Sequence, residues 1–298
     1  MSRLINLLLA AGLLSAASAH ADIFQWEYID PADPSQGKQQ STALAPDGAG
    51  VDAVPGATLI DRDLTMAYLI GADLRNASFL RGTLADADFT GAQIQGAGFS
   101  RFSLGGPQGY GITLAQLYST ESYQAKDLSG ISFFLYDLVG ANFAGQKLTN
   151  ASFPFVSLTD ADFTAADARG AFLDFPASAI TTNLIRSDGH IDGLILNAGG
   201  LLLMRDYDGN LAAIPALIPV TIDQHLAMGP GGTLRMVFDA DAWDSTISFA
   251  PGIPVTLGGT LELTFADDVN LAGEVGRTLK IFDWTGVSPT GAFAISSP

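Results

Sequence analysis

An apolar residue returns at every fifth position through two long stretches of this chain, a period that fits neither the 3.6 of a helix nor the 2 of a strand. From Leu59 the frame holds through Leu64, Leu69, Leu74, Phe79, Leu84, Phe89, Ile94, Phe99 and Leu104. It resumes at Leu128 and continues through Phe133, Leu138, Phe143, Leu148, Phe153, Leu158, Phe163, Ala168 and Leu173. Nineteen of these twenty centres are Leu, Phe or Ile, so the frame records a packing requirement. Two positions before the centre, thirteen of the twenty units carry Ala or Gly. The residue just before the centre is often Asp, Asn, Ser or Thr.

Units such as ADLRN, ASFLR, ADFTG, ANFAG and ADFTA resemble the pentapeptide-repeat family, whose motif is Ala, then Asp or Asn, then Leu or Phe, then two variable residues. The resemblance covers roughly residues 57–173. It implies an all-β fold, a right-handed quadrilateral β-helix with one unit per face and four units per coil. The central Leu or Phe and the preceding Ala would point inward. A tube with five residues per side is narrow, so where Leu or Phe fills it the second inward residue must be small. If a coil holds twenty residues, residues twenty apart stack at the ~4.8 Å β spacing. Phe79 then falls on Phe99, Phe133 on Phe153 and Phe143 on Phe163, with Leu64, Leu84 and Leu104 in a ladder. In the later half, where Leu and Phe alternate, a ten-residue period matches as well. Outward, Asp127, Lys147 and Asp167 lie twenty apart, Asp73 under Gln93, Asp88 above Tyr68 and Asp162 above Asn142. Like charges, which destabilise when directly opposed, are thereby kept apart.

Three segments lie outside the frame. Residues 22–56 are rich in Pro, Gly, Asp and Ser and read as an N-terminal cap over an open β end, with one strand in IFQWEYI. Trp26 and Tyr28 there offer an aromatic ligand patch as the functional alternative. Residues 105–127 interrupt the repeat region (57–175) as an excursion. Thr113 and Gln116 have capping-box spacing, and Leu114, Leu117 and Tyr118 share a helical face, which predicts a short helix against the tube. Phe102, Lys126, Ile131 and Tyr136 occupy positions elsewhere held by small residues and are expected to leave the interior or to meet the excursion. Long loops concentrate binding residues. Tyr110, Tyr118, Glu121 and Tyr123 are the candidate interaction residues of this one, with a packed cover as the alternative. Residues 176–298 form a β-rich region in which GGLLLM at 199, GGTLRMVF at 231 and GGTLELTF at 258 recur at spacings of 32 and 27. Such repeats predict stacked β coils, so this region is expected to be β-solenoid-like or a β-sandwich. It also resembles the C-terminal β regions of secreted bacterial passenger or surface proteins. A chain that stops before a sorting tail is one reading of its end.

Residues 1–21, MSRLINLLLAAGLLSAASAHA, read as a secretory signal: Arg3, an apolar run from Leu4 to Leu14, and Ala19-His20-Ala21 as the cleavage pattern. The run is too short to span a bilayer. Cleavage after Ala21 would leave Asp22 as the first residue of an exported bacterial protein, whether periplasmic, secreted or at the cell surface. The 31 acidic and 14 basic residues give a net charge of −17, which repels nucleic acid and anionic membranes. The absence of cysteine rules out disulfides, thiolate metal sites and cysteine nucleophiles.

Little in the sequence points to catalysis. His190 and His225 stand without a second His or Cys nearby. There is no nucleophile elbow or phosphate-cradling loop. Carboxylate pairs such as Asp160 and Asp162 follow from the repeat motif itself. No catalytic residue and no cofactor is therefore expected, apart from a weak Ca²⁺ candidate in RDYDGN. There Asp206, Asp208 and Asn210 alternate before Gly209, although Asp-Gly is also a hairpin-turn signal, and the turn is favoured. The resemblance further implies a topoisomerase-binding reading, because some cytosolic members of the family are acidic rods that bind topoisomerases in place of DNA. The charge fits that role and the signal peptide does not. The function expected is an exported, non-enzymatic structural or surface interaction module, with a Ca²⁺- or polysaccharide-binding protein as the alternative. Its partner would be a protein or polysaccharide at the cell exterior.

Overall fold

The computed structural model describes residues 22–101, 111–207, 218–239, 243–266 and 269–297. The leader, Phe102, Leu104, Tyr110, Asp208 and Asn210 lie outside the described residues.

The five-residue frame winds a square tube. Thr58 bridges Ser78, Asp63 bridges Thr83, Tyr68 bridges Asp88 and Asp73 bridges Gln93, all in parallel and twenty residues apart. The same step links Asp127 to Lys147 and Lys147 to Asp167, which fixes the coil at twenty residues over ten. The described centres other than the half-buried Leu173 are buried, and Phe79, Phe99 and Phe133 stack along the axis at centroid distances of 5.2 and 5.8 Å. The corner rule is a backbone rule. The last residue of each described unit from Asp61 to Gly96 and from Gly130 to Gly170 has φ between 55° and 71°. This left-handed conformation favours Gly, Asn and Asp, and it explains why those types recur there.

At the N-terminal end, β1 (Phe24–Tyr28) and β2 (Lys38–Leu44) form an antiparallel hairpin. β1 pairs with the first coil: Gln25 bridges Ala67 in antiparallel sense, and Trp26 N–H donates to Met66 O at 2.9 Å. That edge of the tube is thus closed. On one face the pairing is regular enough to form short strands, β3 (Ser78–Phe79), β4 (Gly98–Ser100) and β5 (Ser132–Phe134).

The excursion carries α1 (Leu114–Ser119) and α2 (Glu121–Gln124). Phe99 pairs with Phe133, 34 residues on, so this coil is fourteen residues longer than the regular twenty. Part of the 105–127 excursion stands in for repeat units, because α1 and α2 themselves supply one wall of the coil. Gly91 N–H donates to Ser119 O, and Glu121 N–H to Ala92 O. Ile131 and Tyr136 stay buried, with Tyr136 edge-on to Phe133 at 5.0 Å and its hydroxyl against Gly111 of the excursion. Lys126 leaves the interior, its Nζ donating to Ala144 O.

The tube ends where the small-residue rule fails. Asp162 bridges Ile180 and Asp167 bridges Ile185, a step shortened to eighteen. Leu184 is buried in the tube core, and Phe175 covers Phe163 edge-on at 4.9 Å.

A second solenoid follows, wound from three strands per coil: β6 (His190–Ile191), β7 (Leu194–Leu196) and β8 (Leu201–Arg205), then β9 (Val220–Ile222), β10 (Leu226–Met228) and β11 (Thr233–Phe238). The third coil has β12 (Ile247–Phe249), β13 (Val255–Leu257) and β14 (Thr260–Phe265), and β15 (Thr290–Gly291) and β16 (Ala294–Ser296) begin a fourth. All pairings are parallel, in sheets ordered β7-β10-β13-β15, β8-β11-β14-β16 and β6-β9-β12. Of the two architectures expected, the solenoid is the one formed. The GG repeats fall in register, Leu201 on Thr233 on Thr260. A Cβ on Gly232 would lie 2.1 Å from Leu196 O, so the corner admits no side chain.

Candidate functional site

A cleft with convergent polar groups lies between the hairpin and α1. Docking of β1 on the first coil swings Trp26 across the tube, where its Nε1 donates to Asp86 O at 2.7 Å. Lys38 on β2 reaches the same face. Its Nζ donates to Asp88 Oδ2 at 2.7 Å and sits 3.6 Å from the centre of the Trp26 ring. Desolvation raises the Asp88 carboxyl, but hydrogen bonds from Lys38 and Thr90 outweigh it and hold the group below its ordinary value. Across the cleft, Thr113 caps α1 in a full capping box with Gln116. The Gln116 Nε2 also spans to Leu84 O and Ala87 O at 2.8 and 2.7 Å, which pins the helix to the tube. Between these walls is a volume of about 310 Å³ lined by Trp26, Lys38, Asp86, Asp88, Thr113 and Gln116. It offers an indole, an ammonium and two carboxylates, a set suited to binding a polar ligand.

The candidate interaction residues of the excursion are placed in the wall. Tyr118 hydroxyl accepts from Asn142 N–H at 2.8 Å, and Tyr123 hydroxyl donates to Asn142 O at 2.9 Å. The two rings lie 4.5 Å apart. Two phenols thus serve the backbone groups that a strand would otherwise pair. Burial, with a smaller effect of Tyr118, pushes the Tyr123 hydroxyl up to about 12, so it stays a neutral donor. Glu121 Oε2 accepts from Gln93 Nε2 at 3.0 Å.

Asp206 stands at the junction of the two solenoids. It is buried, and its Oδ1 accepts from Asp244 N–H at 2.7 Å and Tyr207 N–H at 3.1 Å. Burial is the main cause that raises its carboxyl above the ordinary value. Among the described residues no group of three or more His, Cys, Asp or Glu is arranged to hold a metal ion. His190 Nδ1 lies 2.7 Å from Asp223 Oδ1, and the His225 ring packs against Gly193.

Sequence reasoning missed the most connected residue at this junction, Arg169. Its guanidinium is fully buried and pairs with Asp167, Nη2 to Oδ2 at 2.6 Å. It also donates to Ser245 Oγ at 2.8 Å, Arg205 O at 3.1 Å and Ile218 O at 3.4 Å. Arg205 in turn reaches back to Lys126 O and Ala125 O, and Tyr207 hydroxyl donates to Asn150 Oδ1. One signal was present: Arg169 follows Ala168, the sole small centre in the frame.

The family model for pentapeptide repeats matches residues 56–106 and 137–174, in eight copies. The tube is a run of such repeats. No curated protein matches the chain. Two solved structures of QnrB1, a plasmid-mediated fluoroquinolone resistance protein, are similar to it at low identity. The trypsin-treated variant is 14% identical over 76% of this chain and 88% of its own, with a TM-score of 0.16. The full-length form is 13% identical over 76% and 90%, also at 0.16. Among the described residues no helix is long and apolar enough to cross a membrane.

Proposed function

We propose that this pentapeptide-repeat protein is an exported, non-enzymatic interaction module, a rigid body of two joined solenoids that engages its ligand at the cleft between hairpin and α1. The observation that carries the reading is that the N-terminal hairpin and the excursion, the two departures from the five-residue rule around the first coils, meet across one cleft containing Trp26 and Lys38. Both solenoid interiors are packed with apolar side chains, so recognition belongs to the surface. The composition of residues 1–21 supports export.

An external polysaccharide is the ligand class that suits the cleft. An aromatic wall takes up the C–H faces of a sugar while a few placed polar groups fix its hydroxyls. Calorimetric titration with cellohexaose, chitohexaose and polygalacturonate tests this. Heat with one of them, weakened at least about tenfold by Trp26→Phe or Lys38→Ala, is expected. No heat with any, or binding indifferent to both substitutions, would count against the cleft. The Ca²⁺ alternative at Asp206 is tested separately, and a titration with no heat and no thermal stabilisation removes it.

A further inference from the structure

Positive charge is scarce in this chain, with 14 Lys and Arg against 31 acids, yet it gathers at one point of the seam between the two solenoids. Lys126, Lys147 and Arg205 line one small cavity together with Gly145, Asp167 and Leu203. A fourth cation, Arg169, holds the Asp167 carboxylate. Lys147 and Asp167 come to the cavity from one outward row of the tube, Leu203 and Arg205 from β8. The cavity measures about 10 Å³, room for one particle of roughly water size.

The charges around it do not cancel. Both Asp167 oxygens accept from Arg169, Oδ1 from Nε at 3.0 Å and Oδ2 from Nη2 at 2.6 Å, so that pair is neutral. Lys147 is neighboured in its row by Asp127, which balances its charge. Lys126 and Arg205 remain. Lys126 Nζ donates to Ala144 O at 3.1 Å. Arg205 Nη1 donates to Lys126 O at 3.1 Å and Nη2 to Ala125 O at 3.0 Å. These acceptors are carbonyls, and among the described residues neither cation has a carboxylate within 4.0 Å. An ammonium carries three donors and a guanidinium five, so each keeps N–H groups for a further acceptor. Two like charges at one half-buried cavity repel unless an anion lies between them.

We infer that the cavity binds a single monatomic anion, chloride, between the Lys126 ammonium and the Arg205 guanidinium. Chloride supplies the missing negative charge, accepts from several donors at once and is close to water in size. Sulfate and phosphate are too large for the space, and a water molecule brings no charge. Lys126 belongs to the tube and Arg205 to the second solenoid, so the ion joins the two bodies. It binds only when they are docked, and it therefore stabilises the folded chain by mass action.

Thermal unfolding in sodium chloride and in sodium gluconate is the test, at equal ionic strength so that general screening is the same in both. The chloride-minus-gluconate difference in Tm is expected to be about 2 °C larger in the wild type than in Lys126→Met or Arg205→Met. Each variant is compared with itself in the two salts, so a change in its own stability does not enter. Arg75→Gln, which removes a cation paired with Asp73 instead, keeps the wild-type difference. A difference that is the same in the wild type and in both Met variants means that the cavity holds water alone, and overturns the inference. A difference lost in only one of those two variants overturns the placement of the ion between them.

Discussion

Arg169 Nη1 donates to Ser245 Oγ at 2.8 Å, across 76 residues of sequence. The bond joins the last full coil of the square tube to the third coil of the three-sheet solenoid. The guanidinium and the Asp167 carboxylate that faces it are both buried, so each depends on the other to offset the loss of water.

Replacing Arg169 with Met strands the buried Asp167 charge and is expected to destabilise the protein by about 3–5 kcal/mol. Adding Asp167→Asn should recover a large part of that loss. Urea denaturation of both variants measures it. A loss under about 1 kcal/mol in the single variant would mean that water reaches the pair.

The two phenols in the wall act on different atoms, so their removal is separable. Tyr118→Phe and Tyr123→Phe should each cost about 1 kcal/mol. Only Tyr118→Phe takes away the acceptor of the Asn142 amide, so only that variant should speed its hydrogen exchange. Equal exchange in the two variants would contradict the assignment.

The pH response has two signs. The Asp88 carboxyl is lowered, so its contribution is present above the unfolded value near 3.8 and is lost as pH falls through the folded value. Lys38→Met should shrink that acid-side loss. The Asp206 carboxyl is raised, so the native state holds its proton more tightly and stability falls as pH rises from near 3.8 through the folded value. Asp206→Asn keeps an acceptor for Asp244 N–H and should flatten that fall. Stability curves against pH for the two variants would differ on opposite limbs.

Tube width is tested from inside. Ala141 is fully buried at a small position. Ala141→Leu should overpack it and cost about 1–3 kcal/mol, measured as a drop in Tm. A neutral result would mean that the interior has room that the Ala pattern denies.

The tube was legible in the sequence because its constraint is local: each unit carries its own inward Leu or Phe, its small partner and a left-handed corner. The phenyl stacking of Phe79 on Phe99 follows directly from that register. The second solenoid was half legible, since the GG corners repeat at 199, 231 and 258 but neither strand count nor sheet number is encoded in any one repeat. Arg169 was hidden because its partners come from Arg205, Ile218 and Ser245, brought together only by the docking of one solenoid on the other. The cleft was hidden for the same reason. Trp26 and Gln116 each announce a local role, a strand aromatic and a capping residue, and only the folded chain sets them on opposite walls.

Export is the claim on which the functional account turns, and it is tested by fractionating native cells and measuring the intact mass of the protein in each fraction. A chain beginning at Asp22 is expected in the exported fraction. A chain still beginning at Met1 in the cytosol would contradict it, and would return the acidic rod to the topoisomerase-binding reading.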